Sequence, residues 1–426
     1  MEGTLKTRER IIEGDSVQKL FLFIILACIF LGALNLVNRY YFCVYIALIF
    51  LLITPKIRIQ IDTTFWVLML FSMSVLIFDP SSQTMITNMI KPFTYPLCYL
   101  MGANIFNQVK YKRVNLEKEE KMVSFIIYVL TAGAMLHFIL NMITNRTAVD
   151  RHVIDFWTKE EMSATGQAVL ACLMIGVSAA FLFSSVGKFK KIIASFAIGL
   201  IIAYNLILAG RTIFMLIIIM MVFAFLCSSI LNKKRIAKTV VVVFVVAALL
   251  LVLYNADIFG IKTAFENSNF YNRFMGGSGK QGIDEDKRME YKAVYINYFF
   301  DYMWGGENIN TLFGHRAHDL YLDTYDEAGL IALITIAIYI ICSLSRMVKC
   351  LKCKSLSTQV KLLIACVYVA CNIQFWLEPI LRGVPWLLAS YCFIDGAVSR
   401  LIKNERRFRI QCYSDEKAQK QINKTF

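Results

Sequence analysis

The chain has 426 residues, 58% of them hydrophobic and only 18% charged, with a mean hydropathy of +0.58. No water-soluble globular fold hides that much apolar surface, so the composition excludes a soluble domain. The net charge of +15 does not point to nucleic acid, because that would need basic residues gathered on one soluble face, and here they are distributed between apolar blocks.

Those blocks number twelve, at about residues 20–37, 40–54, 64–79, 84–107, 122–142, 164–185, 192–209, 212–231, 239–256, 326–345, 361–380 and 385–402. A helix needs about 20 apolar residues to cross a hydrocarbon core of about 30 Å, and the blocks lack the polar/apolar alternation of barrel strands. The expected fold is therefore all-α, a polytopic integral membrane protein with about 12 transmembrane helices. The leader MEGTLKTRERIIEGDSVQK has mixed charge and no small-residue cleavage site, so the first block reads as a retained helix. Placing the N-terminus in the cytoplasm puts PKIRIQIDT, KYKRVNLEKEEK, GKFKK, NKKRIAK, SRMVKCLKCK and the tail after Leu401 on the inner side, and these segments hold most of the basic residues. Both termini are then cytoplasmic.

This topology divides the chain into helices 1 to 9 over residues 1–256, with an outer loop at 143–163; a large extracytoplasmic loop at 257–325; helices 10 to 12 at 326–402; and a basic cytoplasmic tail at 403–426. All 12 cysteines fall in helices or on the inner side, so structural disulfides are not expected, and the lone Cys350/Cys353 pair reads as chance spacing. The chain shows no inverted repeat of the kind found in many transporters.

Lys91, in TNMIKPFTYPLCYL, lies inside the fourth block, where an ionised side chain is costly unless it snorkels or faces a wet or anionic cavity. Pro92 and Pro96 mark that block as a broken helix. Arg211, in NLILAGRTIFMLIII, is the only charge between the seventh and eighth blocks, in a turn too short to rise far from the membrane. It is either an interfacial anchor or a fork for phosphate oxygens.

Arg273 and Arg288 flank the polar, glycine-rich MGGSGKQGIDEDK. Arg288 opens a helix, where a cation opposes the helix dipole, so an anion is expected near it: Glu285, Asp286 or a ligand. Tyr291, Val294, Tyr295, Tyr298, Phe299, Tyr302 and Met303 then form one helical stripe, stopped by Gly305 and Gly306. Such a helix lies along the membrane interface or on the tops of the spanning helices.

The stretch GHRAHDLYLDTYDEAGLIALI, residues 314–334, holds His315 and His318, two of the chain's 4 histidines. They stand at the edge of the tenth helix, where an imidazole can take a proton near neutral pH. A metal pair with Asp319 and Asp323 has no further ligand cluster behind it, so no metal site is expected.

The sequence His318, Asp319, Leu320, Tyr321, Leu322, followed by Glu327 and Gly329 before an apolar helix, resembles the His-Asn-x-aromatic-Leu motif of the O-antigen polymerase and O-antigen ligase family, which are bacterial membrane glycosyltransferases; Asp319 stands where Asn is commoner. AGRTIF is similar to the family's Ser-Arg-Thr/Gly element, with Gly210 in place of Ser and Arg211 in the arginine's place. DKRMEYKAVYINYFFDYMWGG resembles the arginine, amphipathic helix and glycine-rich end that precede the histidine loop, with Arg288 as the second arginine. Lys91 falls where the family's ligases carry an intramembrane lysine.

The resemblance implies a metal-independent enzyme without cofactors, in the bacterial cytoplasmic membrane, acting on polyprenyl-pyrophosphate-linked oligosaccharides at the outer face. His318, Arg211 and Arg288 would be catalytic, and Lys91, Arg273, His315, Asp319, Asp323 and Glu327 would bind substrate. Its partners would be those lipid-linked sugars, the lipid bilayer, and flippase and chain-length regulator proteins, with no nucleic acid. The reading adopted is a repeat-unit polymerase for capsule, exopolysaccharide or O-antigen. A ligase would differ only in its acceptor. A flippase would string charges through several spans at mid-depth, whereas here they gather at the outer edge, Lys91 excepted.

Overall fold

The computed structural model describes residues 2–55, 57–105, 115–145, 152–231, 255, 261–267, 271 and 288–425. The elements are α1 (Glu2–Ala33), α2 (Tyr40–Ile53), α3 (Thr63–Phe78), α4 (Ile86–Ile90), α5 (Thr94–Asn104), α6 (Leu116–Thr144), β1 (His152–Ile154), β2 (Glu161–Ser163), α7 (Ala164–Phe183), α8 (Lys188–Leu208) and α9 (Arg211–Leu231). They continue with α10 (Ile261–Glu266), α11 (Arg288–Asn297), α12 (Asn308–Phe313), α13 (Leu320–Lys352), α14 (Thr358–Leu377), α15 (Ile380–Gly383) and α16 (Pro385–Thr425).

The chain is an all-α, multi-pass membrane protein. Among the described residues, 7 helices are long and apolar enough to cross a bilayer: Ser16–Ala33 within α1, then α6, α7, α8, α9, α13 and α14. The other expected spans differ for local reasons. α2 and α3 are apolar but only 14 and 16 residues long. The ninth block, 239–256, lies outside the described residues apart from residue 255, and the twelfth, inside α16, carries Asp395 and Arg400.

The fourth block is broken into α4, a 3-10 turn at Lys91–Phe93, and α5. Pro96 has no N–H to give the carbonyl of Pro92, one turn back. The Ser72 hydroxyl donates to that oxygen instead, at 2.7 Å, which is how a membrane helix tolerates a break.

Small residues bring helices into backbone contact, as is common where lipid offers no hydrophobic drive between them. α5 crosses α16 at Gly102 and Gly396. A Cβ on Gly102 would overlap the Phe393 carbonyl oxygen, and one on Gly396 would overlap that of Tyr99. Close by, Asp395 is fully buried, yet Arg346 pairs with both of its oxygens and Tyr368 donates to it at 2.8 Å. The buried charge is thus matched in place, as membrane energetics requires.

Polar contacts collect at the two ends of the bundle. At one end, Asn104 bonds Gln60 in both directions, Lys403 reaches Asp62 at 2.8 Å, Asn404 donates to Glu119 and the Ser357 N–H to Glu120. Every one of these residues borders a segment that the sequence reading assigns to one face. The turns assigned to the opposite face meet at the other end, around a cavity.

Replacing Gly102 by Val should destabilise the protein by about 1–3 kcal/mol or more through overpacking. Gly199→Val, where nothing lies within 4 Å, should change little. Thermal unfolding in detergent micelles compares the two.

Candidate functional site

The cavity has a volume of about 560 Å³ and is walled by turns from six parts of the chain. They are residues 35–40, the end of α3 with Asp79, the broken helix around Lys91, the hairpin from Asp155 to Gly166, the loop at His318 with Glu327 behind it, and Glu378–Pro385.

The His318 wall is built by a helix that changes conformation part-way. α13 starts at Leu320, earlier than the apolar block alone indicates, because the Asp319 carboxylate caps it by accepting from the N–H groups of Tyr321 and Leu322 at 3.0 and 2.7 Å. The helix then breaks at Gly329, whose φ of 77° and ψ of −175° are accessible essentially to glycine alone. The break frees backbone groups that the preceding loop uses. Gly306 and Glu307 donate to the carbonyls of Glu327 and Asp326 at 3.1 and 2.8 Å, and Leu330 donates to Met303 at 2.8 Å. Gly305, with φ of 78°, lies so close to Gly329 that neither tolerates a Cβ without movement.

The Asp326 carboxylate accepts from Ile309 and Asn310 at the start of α12. Asp323 accepts from the Ala317 N–H at 3.1 Å. His318 follows directly, with a left-handed φ of 58°, held between that bond and the Asp319 cap. The aromatic stripe does not extend as one helix to Met303. α11 ends at Asn297, and Tyr295 packs with Ile309, Ala317 and Tyr325, while the Phe299 ring stacks on Tyr325 at 4.3 Å. Packing against the histidine loop and α13 outweighs continuation of the helix.

The opposite wall is a two-stranded antiparallel hairpin, His152–Ile154 with Glu161–Ser163. α6 mounts it from below. Asn145 exchanges two hydrogen bonds with Ile154, both 2.8 Å, Asn141 accepts from Phe156, and fully buried His137 meets Asp155 at 2.7 Å. Burial works against ionising Asp155, but the His137 hydrogen bond and the N–H groups of Thr158 and Trp157 prevail and hold its carboxyl well below the usual carboxylate range.

Of the residues singled out in the sequence, Lys91, His318 and Glu327 line this one cavity. The Lys91 ammonium donates to Asn88 at 2.9 Å and lies 5.7 Å from the centre of the Tyr41 ring. Glu327 is 5% exposed and pairs with Arg316 at 3.5 Å and Arg382 at 2.8 Å. Asp319 and Asp323 stand behind the His318 loop, where Asp319 also pairs with Lys292 at 2.9 Å. His315 is exposed and stacked on Tyr291 at 4.5 Å, its carbonyl accepting from Tyr295.

Arg211 opens α9 next to the cavity's α7 wall. The Asn205 amide donates to the Gly210 carbonyl at 2.6 Å, and Gly210 faces Ala164, which lies between the lining residues Ser163 and Thr165. Arg273 and the Arg288 side chain lie outside the described residues, although Arg288 begins α11.

The sequence reading missed Arg382, Asp79, Glu378 and Asp155. Arg382 and Glu378 had a visible signal. LEPILRGVPW is a charged turn between two apolar blocks, as is the turn that marks Arg211, and here two prolines flank it. Arg382 pairs with Asp79 at 3.3 Å, with Glu307 and with Glu327.

Compared with protein-family models and with curated proteins, the chain matches none. The geometry therefore carries the functional argument.

Gly329→Ala should cost about 1–3 kcal/mol and loosen the 303–313 loop. Hydrogen exchange should show faster amide exchange at Gly306 and Glu307 than in the unaltered protein, with α7 and α14 unchanged.

Proposed function

We propose that the chain is a membrane glycosyltransferase of the polysaccharide repeat-unit polymerase type, working at the outer face of the bacterial cytoplasmic membrane without a metal. In this reading the twelve apolar blocks span the bilayer, both termini are cytoplasmic, and the cavity opens outward. One observation carries the proposal: Lys91, His318 and Glu327, far apart in the sequence and each singled out from it, line a single cavity at the end of a bundle of apolar helices.

That position suits an amphiphilic donor. A polyprenyl chain stays in the hydrocarbon while its diphosphate and sugars reach the polar cavity. Lys91 and Arg211, with Arg288 and Arg273 from the loop, supply the positive charge that a leaving diphosphate needs. The carboxylates and amides of the cavity, among them Asn35, Asn38, Asn88 and Glu160, match the hydroxyls of a carbohydrate.

The reaction is a displacement at the anomeric carbon of the growing chain. A hydroxyl oxygen at the non-reducing end of an incoming lipid-linked repeat unit attacks that carbon, and its proton passes to the His318 imidazole. The bond from the anomeric carbon to the diphosphate oxygen breaks, and the polyprenyl diphosphate leaves with the electron pair. Direct attack inverts the anomeric configuration.

His318→Ala, Arg211→Ala and Arg288→Ala should each reduce polymer formation by about 100-fold or more while the protein still reaches the membrane. Surface polysaccharide would then run as single repeat units on a gel. Wild-type long chains in all three variants would refute the proposal.

A further inference from the structure

We infer that Arg382 is a positioning residue of the same site, holding the Glu327 carboxyl group against the cavity wall so that it aligns the attacking hydroxyl of the acceptor sugar. The inference rests on the glycosyltransferase reading. Arg382 sits on α15, a single turn set between Pro379 and Pro385 and closed by bonds from the N–H groups of Gly383 and Val384 to Pro379 and Ile380 at 2.9 and 3.1 Å. A short, proline-bracketed turn gives its side chain a fixed origin.

From there the guanidinium reaches carboxylates on three other segments: Asp79 at the end of α3, Glu307 in the loop, and Glu327 before the helix break. Arg382, Asp79 and Glu327 line the cavity with His318. Two independent constraints therefore converge on Glu327. Its carbonyl is held by the Gly306 N–H, and its carboxyl group lies in an ion-pair contact with the Arg382 guanidinium, 2.8 Å from Nε.

A planar fork can hold several carboxylates in fixed directions, which the single ammonium of a lysine cannot. A carboxyl oxygen accepts hydrogen bonds. Glu327 so held accepts from a sugar hydroxyl and sets the direction of attack, while His318 takes the proton. Asp79 and Glu307 keep the guanidinium from turning toward the donor diphosphate.

The test uses purified full-length protein and lipid-linked repeat unit extracted from a strain lacking the polymerase. Arg382→Gln should lower kcat at least tenfold with KM changed less than about threefold, the pattern of an interaction made only in the transition state. Arg382→Lys should fall between the two. Arg382→Gln with Glu307→Gln, which removes one charge of each sign, should regain the wild-type Tm without regaining kcat.

Wild-type kcat in Arg382→Gln, or recovery of kcat along with Tm in the double variant, overturns the positioning role. His318→Ala separates the two claims. If it is inactive while Arg382→Gln turns over normally, only the role of Arg382 fails. If His318→Ala is fully active, the glycosyltransferase reading falls and this role with it.

Discussion

The site depends on one interruption, the break in α13 at Gly329. An unbroken helix would satisfy its own carbonyls and offer nothing to the loop before it. With the break, the carbonyls of Asp326 and Glu327 accept from Glu307 and Gly306, and the N–H of Leu330 donates to Met303. The loop that carries His318 is thereby tied at both ends to the helix that follows it, by the Met303–Glu307 segment on one side and the Asp319 cap on the other. The break exchanges intrahelical bonds for bonds that fix the loop carrying His318, and essentially only glycine allows the required backbone angles.

Buried charge is handled differently at two places among the described residues. Arg346 and Asp395 lie between helices and pair with each other and with Thr64 and Tyr368, an arrangement that ties α3, α13, α14 and α16 together. Around Arg382 and Arg316, by contrast, the acidic side chains of Asp79, Glu307 and Glu327 converge from three segments beside a cavity. Such a cluster is expensive inside a membrane and is tolerable where water reaches it.

Much of this was legible in the sequence, because hydrophobic blocks and special residues are local signals. Seven of the apolar runs gave helices long enough to cross a bilayer, the two prolines gave the broken fourth block, and Lys91 and the histidine motif marked two walls of the cavity. The hairpin at 152–163 read only as a loop, since its strands are three residues long and owe their shape to Asn141, Asn145 and His137 on α6. The aromatic stripe overstated its helix. Tyr295 and Phe299 do share a face, but Phe299 packs from a turn that the Tyr325 ring holds. The turn carrying Arg382 is visible as a charged turn, but its partners lie after α3, in the loop and on α13, none near it in the chain, and pairing across such separations leaves no periodic trace.

The most direct test of the account is photolabelling in native membranes with a lipid-linked repeat unit that carries a diazirine on its first sugar. The predicted label falls on peptides containing Lys91, His318 and the 378–385 turn, and is lost when excess unlabelled donor is added. Label confined to the opposite end of the bundle, around Asp62, Glu119 and Lys403, would contradict the assignment of this cavity to the reaction.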